Sequence, residues 1–387
     1  MRKLNFVYKH IISGGAESLL LRLSKKIISE DENVTVKLIC QSISTKMRQQ
    51  FEKLNIQIIV LNCWTAQNIF KQIENSMEKT LFYNIEEFLL VNNIISKKKL
   101  INLTFLYVVH PNNTKIFSRK LMLLNKIMNK KFSSILKNLI YENRVIFMDE
   151  MCLNEFNKFY GLNIVLELEK FIRLPIDDFK IEKNCFKKGN SINLLTIARA
   201  DFPFKGYIQG MINELDLADY KVNLTIVSFG PQFGQIKQWI NRSKSKNLKI
   251  SLHGETSYDE LNRFYENTDL YVGMGTTVLE AAARKIPSVV VSPYTYSFKS
   301  SGFFHQNPFV VASDFDEISN GIKYIDQYKI MSDREISEIE LKSYNFFKEY
   351  YSMQSFIKKI KNLSFKSSYV NLNIFFILLF ELRLKFR

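Results

Sequence analysis

The chain has 387 residues, 46% hydrophobic and 24% charged, with only 13 Gly and 7 Pro, which excludes a disordered chain, a collagen-like fibre and a low-complexity linker. Its 54 basic and 38 acidic side chains leave a net charge of +16, so a polyanionic partner is expected: phosphorylated substrate, anionic membrane surface or nucleic acid. The four cysteines (Cys40, Cys63, Cys152, Cys185) and four histidines (His10, His110, His253, His305) have neither CxxC nor HxxxH spacing, which argues against a disulfide scaffold and a metal centre.

Residues 4–9 form a short β-rich run, followed by a break at Ser13-Gly14-Gly15. Leu19, Leu20, Leu23, Ile27 and Ile28 then recur at helical spacing. Further β runs are expected at 34–40, 56–61, 105–109 and 145–148, with a helical stretch at 46–54 and a lysine-studded amphipathic helix over 115–140. The alternation implies βαβ units around a parallel sheet. After Arg173-Leu174-Pro175-Ile176-Asp177 and a polar segment at 180–191, a second alternating set begins. Its β runs fall at 194–198, 224–228, 250–253, 270–272 and 288–292, with helices at 206–217, 232–242, 257–267 and 277–285. The expected fold class is α/β, with two doubly wound Rossmann-like domains facing a cleft. The N-terminal domain covers 1–180, the second 190–340, helices at 341–363 pack back on the first, and 364–387 is a basic apolar tail.

Ala198-Arg199-Ala200-Asp201-Phe202-Pro203-Phe204-Lys205-Gly206 joins a strand to a helix. It brings a planar guanidinium fork and a point charge to the carboxyl edge of a sheet, a combination suited to a diphosphate. Alone, it also reads as two solvated cations in a loop. Gly273-Met274-Gly275-Thr276-Thr277 again follows a strand and opens a helix, whose N–H groups attract phosphate. Glu280 has two readings from the residues alone: ribose-hydroxyl acceptor, or carboxylate beside its own helix N-terminus.

These two segments resemble the nucleotide-sugar half of GT-B glycosyltransferases, in particular the retaining family 4, the glycosyl transferases group 1. The resemblance implies donor-diphosphate binding by Arg199, Lys205 and Gly206, with Ala198 where a glycine is usual, and ribose binding by Glu280. Gly273, Gly275, Thr276 and Thr277 join the donor site. In the first half, Gly14-Gly15-Ala16-Glu17 resembles the family's glycine turn near donor phosphate and sugar, and also reads as an ordinary turn. His110 stands where the family places a sugar-contacting histidine; a structural role is the competing reading. The family's first glutamate is missing: Val272 stands eight positions before Glu280, and the loop is shortened.

The resemblance implies transfer of a hexose-type sugar, with retention, from a nucleotide diphosphate sugar to a lipid-linked or polysaccharide acceptor in cell-surface glycan synthesis (capsule or lipopolysaccharide) of a bacterium. Arg199, Lys205 and His110 are the candidate catalytic residues. No cofactor or metal is expected, and no nucleic-acid partner. The alternative is a non-catalytic GT-B-like subunit supporting a glycan-synthesis complex, favoured by Val272 and the short loop. The expected location is cytoplasmic, peripheral on the inner membrane face. The apolar run at 373–380 is too short to span a bilayer, and 369–387 reads either as an interfacial segment or as a final core element.

Overall fold

The computed structural model describes residues 3–12, 15–30, 34–73, 78–110, 122–179, 189–257, 259–311, 319–365 and 370–386. Two compact units emerge, one of Met1–Pro175 with Met353–Arg387, the other of Ile176–Ser352.

The first unit holds a six-stranded sheet of β1 (Lys3–Val7), β2 (Thr35–Cys40), β3 (Gln57–Val60), β4 (Lys79–Phe82), β5 (Thr104–Val108) and β6 (Val145–Phe147). Its order is β3-β2-β1-β4-β5-β6 and every pairing is parallel. Strands β1, β2 and β5 are almost wholly buried, as a sheet covered on both faces requires. One layer holds α1 (Gly15–Glu30) and α2 (Thr45–Glu52), with Leu19, Leu20, Leu23, Met47 and Phe51 against the sheet. The other holds α3 (Ala66–Ile73), α4 (Ile85–Lys97), α5 (Met122–Tyr141) and α6 (Glu150–Tyr160), through Phe70, Phe88, Leu136 and Phe156. The order reverses between β1 and β4, so that is the switch point of this sheet.

The second unit repeats the plan with β7 (Ser191–Arg199), β8 (Lys221–Phe229), β9 (Leu248–His253), β10 (Leu270–Gly273) and β11 (Ser288–Val291). Their order is β9-β8-β7-β10-β11, all parallel, and the antiparallel β12 (Lys299–Phe303) and β13 (Ser319–Asn320) extend the edge. Helices α7 (Tyr207–Leu215), α8 (Phe233–Arg242), α9 (Asn262–Glu266), α10 (Thr276–Ala283), α11 (Ile322–Ile330) and α12 (Asp333–Phe346) flank it. Here the switch point lies between β7 and β10.

The structure draws the domain limits differently from the sequence. The first unit stops at Pro175, where buried Arg173 makes a double hydrogen bond to Glu150 at 2.7 and 2.6 Å. Residues 341–352 stay with the second unit, because Phe347 and Tyr351 are buried with Leu279, Ala282 and Ala283 of α10. The return to the first unit begins only at α13 (Met353–Asn362), whose Phe356 and Ile360 join the α1 layer. The tail is a core element on one face: α14 (Ile374–Phe386) buries Phe376, Phe380 and Leu384 with the α4–α5 layer. Among the described residues, no helix is long and apolar enough to cross a membrane.

Candidate donor site of the second unit

The sequence-predicted residues of the second unit gather at the carboxyl edge of its sheet, around the switch point. Arg199 is the last residue of β7 and is exposed. Among the described residues, its guanidinium has no hydrogen-bond or ion-pair partner. The strand hands it to a tight loop that is closed internally: Asp201 N–H donates to Arg199 O (2.9 Å), Lys205 N–H to Asp201 O (2.8 Å) and Gly206 N–H to Pro203 O (2.9 Å). Phe202 N–H donates to Gln232 Oε1 at 2.5 Å, tying the loop to the turn after β8.

Lys205 is half-buried, with its Nζ 4.8 Å from the centre of the Phe204 ring. Burial pushes its pKa down to about 8, and the nearby Asp201 opposes the shift. Among the described residues no carboxylate lies within ion-pair distance of it. Two cations six positions apart thus stand at one sheet edge with no carboxylate within ion-pair distance among the described residues, an environment suited to an anion. Gly206 allows the loop to seat: a Cβ there lies 2.7 Å from Thr295 O and 2.9 Å from the Tyr296 ring.

The adjacent strand delivers the second loop. β10 ends at Gly273, and only Met274 and Gly275 separate it from α10. Gly275 has φ 76°, a backbone state that favours glycine. Its N–H donates to Val311 O at 2.6 Å, so this donor is already satisfied within the protein. Thr277 Oγ1 takes the Tyr271 hydroxyl at 2.6 Å and donates to Met274 O at 3.2 Å, so it braces the loop from within. Thr276 is exposed at the first position of α10. Val272 is buried in the core with Met274, so the short connection presents no carboxylate in place of the family's first glutamate.

Glu280 is the fifth residue of α10 and is buried, which sets aside the reading of a first-turn dipole partner. Its Oε2 accepts the Tyr265 hydroxyl at 3.2 Å. Arg284 lies beneath, donating to Glu280 O at 2.9 Å and to Asn262 Oδ1, with its guanidinium 3.3 Å from the Phe179 ring centre and 4.2 Å from that of Tyr265. Tyr265, Arg284 and Tyr294 are site-edge residues the sequence reading did not single out. Tyr294 holds φ 56° and an exposed ring 4.9 Å from Phe204, and nothing in its sequence context marks that strain.

The remaining candidates belong to the first unit. Gly15 opens α1, and Gly14 lies outside the described residues. Glu17 is buried and hydrogen-bonded to the Tyr8 hydroxyl, whose pKa rises chiefly through burial. His110 is exposed two residues past β5. Among the described residues no group of three or more His, Cys, Asp or Glu side chains is placed to hold a metal.

Comparison with solved structures decides the fold. A glycosyltransferase from Rickettsia africae superposes with a TM-score of 0.63 at 14% identity, covering 94% of this chain and 99% of its own. This chain has the GT-B fold. Other GT-B neighbours are WaaB, described as a lipopolysaccharide outer core galactosyltransferase (TM-score 0.58, 13% identity, 93% and 98% coverage), and Anabaena HepE in complex with UDP-glucose (0.55, 15%, 93% and 98%). No family model matches the sequence, and no match was found among curated proteins.

Proposed function

We propose that this GT-B chain is a glycosyltransferase that moves a sugar from a nucleoside diphosphate sugar to a lipid-linked or polysaccharide acceptor. The observation that carries the reading is the pair of Arg199 at the end of β7 and Lys205 in the loop after it, two cations with no carboxylate within ion-pair distance among the described residues. Breaking the bond between the anomeric carbon and the β-phosphate oxygen leaves a nucleoside diphosphate with growing negative charge. Arg199 and Lys205 stabilise it, and a site pre-aimed at that charge accelerates the step without reorganising. Glu280, steadied by Tyr265, takes the ribose hydroxyls. HepE, whose structure holds UDP-glucose, supports a nucleotide-sugar donor, and WaaB supports an acceptor of the lipopolysaccharide kind.

The test is nucleoside diphosphate release and sugar transfer with UDP-, GDP- and ADP-sugars and extracted glycolipid acceptors. Arg199→Ala and Lys205→Ala should each weaken nucleoside diphosphate binding about tenfold to a hundredfold, as expected for one charge-assisted contact. Unchanged affinity in both variants removes the site. The anomeric configuration of the product shows whether retention holds in a loop with Val272 and no first glutamate.

A second reading, a non-catalytic subunit of a glycan-synthesis complex, is favoured by the Met274–Gly275 connection, which carries no carboxylate and whose Gly275 N–H is spent on Val311. It predicts nucleotide binding without transfer to any acceptor.

A further inference from the structure

A bulky residue with positive φ is an outlier, and such strain persists only where the surroundings over-determine it. Tyr294, in the segment after β11, is held at φ 56°, yet its ring is 69% exposed. The core gains little from a strain that glycine at the same position would remove.

What the strain does is fix the ring beside the loop that carries Lys205. Tyr294 N–H donates to Phe204 O at 3.2 Å, and the two ring centres are 4.9 Å apart, with Lys205 Nζ 4.8 Å from the Phe204 ring. Two residues on, Tyr296 is 46% exposed and set edge-on to Trp239 of α8, at 6.3 Å between ring centres and 82° between planes. Its ring also abuts Gly206, where a Cβ would lie 2.9 Å away. Neither phenol hydroxyl has a hydrogen-bond partner among the described residues.

These rings join a different layer from the ribose candidates. Phe202, Trp239 and Phe204 pack with Leu194 of β7, whereas Tyr265 and the α10 residues beside Glu280 pack with Leu195. Successive side chains of a strand point to opposite faces, so a ligand on the tyrosines is not the nucleoside. Two flat apolar rings with free hydroxyls suit a sugar ring, whose C–H face stacks on an aromatic face while its hydroxyls reach the phenols. A specific protein partner buries roughly 1,000 Å² or more, beyond what two tyrosines in a short polar segment offer.

We propose that Tyr294 and Tyr296 form a platform for the saccharide chain of the acceptor, beside Lys205 and apart from the nucleoside. The choice of a saccharide rests on the transferase reading; the geometry of the platform does not.

The experiment is titration calorimetry of the full chain with UDP, GDP and ADP, and with linear hexasaccharides of glucose, galactose and mannose. The wild-type protein should bind at least one hexasaccharide about tenfold or more tightly than the matching monosaccharide, because two rings are engaged at once. Tyr294→Gly and Tyr296→Ala should each weaken that binding at least about fivefold, and Tyr294→Phe should keep most of it. Nucleotide affinity should stay within about twofold in all three. Tyr294→Gly should also melt no earlier than wild type, whereas a tyrosine kept for packing gives the opposite. If Tyr296→Ala melts early, Tyr296→Leu serves, with a loss in the same direction. Three results overturn the proposal: no hexasaccharide bound by wild type, variants that bind as wild type does, or nucleotide affinity lost in parallel, which puts the tyrosines in the donor site. Hexasaccharide binding without nucleotide binding removes the transferase reading and leaves the platform standing, so the two fail separately.

Discussion

The Tyr265 hydroxyl donates to Glu280 Oε2 at 3.2 Å, and both groups are buried. Burial, with Glu280 and Tyr271 adding to it, raises the tyrosine pKa well above its usual value, so Tyr265 remains a neutral donor throughout the working pH range. The carboxylate on the second turn of α10 is therefore oriented before any ligand arrives.

Tyr265→Phe removes that orienting bond while keeping the ring that packs on Arg284. We expect a loss of about 3- to 10-fold in affinity for a ribonucleoside diphosphate, the worth of one hydrogen bond. Its preference over the 2′-deoxy analogue should shrink as well. Calorimetry with both ligands reads this, and an unchanged preference separates Tyr265 from ribose recognition.

Lys205 sets the pH dependence. Burial lowers its pKa to about 8, so in the free protein the ammonium is present below that pH and is lost as pH rises through it. A bound diphosphate favours the charged form. Affinity should hence be level at pH 6–7 and fall above about 8, approaching tenfold per pH unit if Lys205 must be protonated. In Lys205→Arg the fall should vanish over the same range, because a guanidinium keeps its proton. Titrations across that range with the two proteins decide the matter.

Gly275→Ala forces a side chain onto φ 76°, where no neighbour blocks it but the backbone itself is strained. The expected cost is about 1–2 kcal/mol, measured by denaturant unfolding. Gly206→Ala differs in kind, since its Cβ meets Thr295 O and the loop must shift. Nucleotide affinity should drop there by more than stability does.

Phe380 is fully buried between α14 and α5. Phe380→Ala should destabilise the first unit by about 3–5 kcal/mol, visible as an early thermal transition. The outward-facing Leu378→Ala should leave that transition in place. Equal effects at the two positions contradict the division of α14 into an inner and an outer face.

Most strands were legible because their β-branched runs are bounded by polar turns, as at Leu194–Ala198 and Leu224–Ser228. β4 escaped notice because Lys79-Thr80-Leu81-Phe82 is only four residues long and begins with a charge, although it lies beside β1 at the switch point. Arg199 and Lys205 were readable as a strand end and the loop after it, and Glu280 as part of the helix that opens just beyond a strand. Tyr265, Gln232 and Val311 were not, since each acts through a contact 15 to 36 positions away that only the folded sheet creates. The tail could not be resolved by pattern either. With apolar residues on every side of α14, periodicity alone does not distinguish an inner from an outer face.

The first unit is built from both ends of the chain, whereas residues 176–352 form the second without interruption. During synthesis the second unit is thus the one whose whole sequence can leave the ribosome and close upon itself first. The sheet of the first unit must wait with the surfaces later covered by α13 and α14 still bare, the exposed state from which aggregation starts. Synthesis through α14 is what seals the amino-terminal half, so a premature stop even a few residues upstream of Phe380 damages the part of the protein that was made earlier.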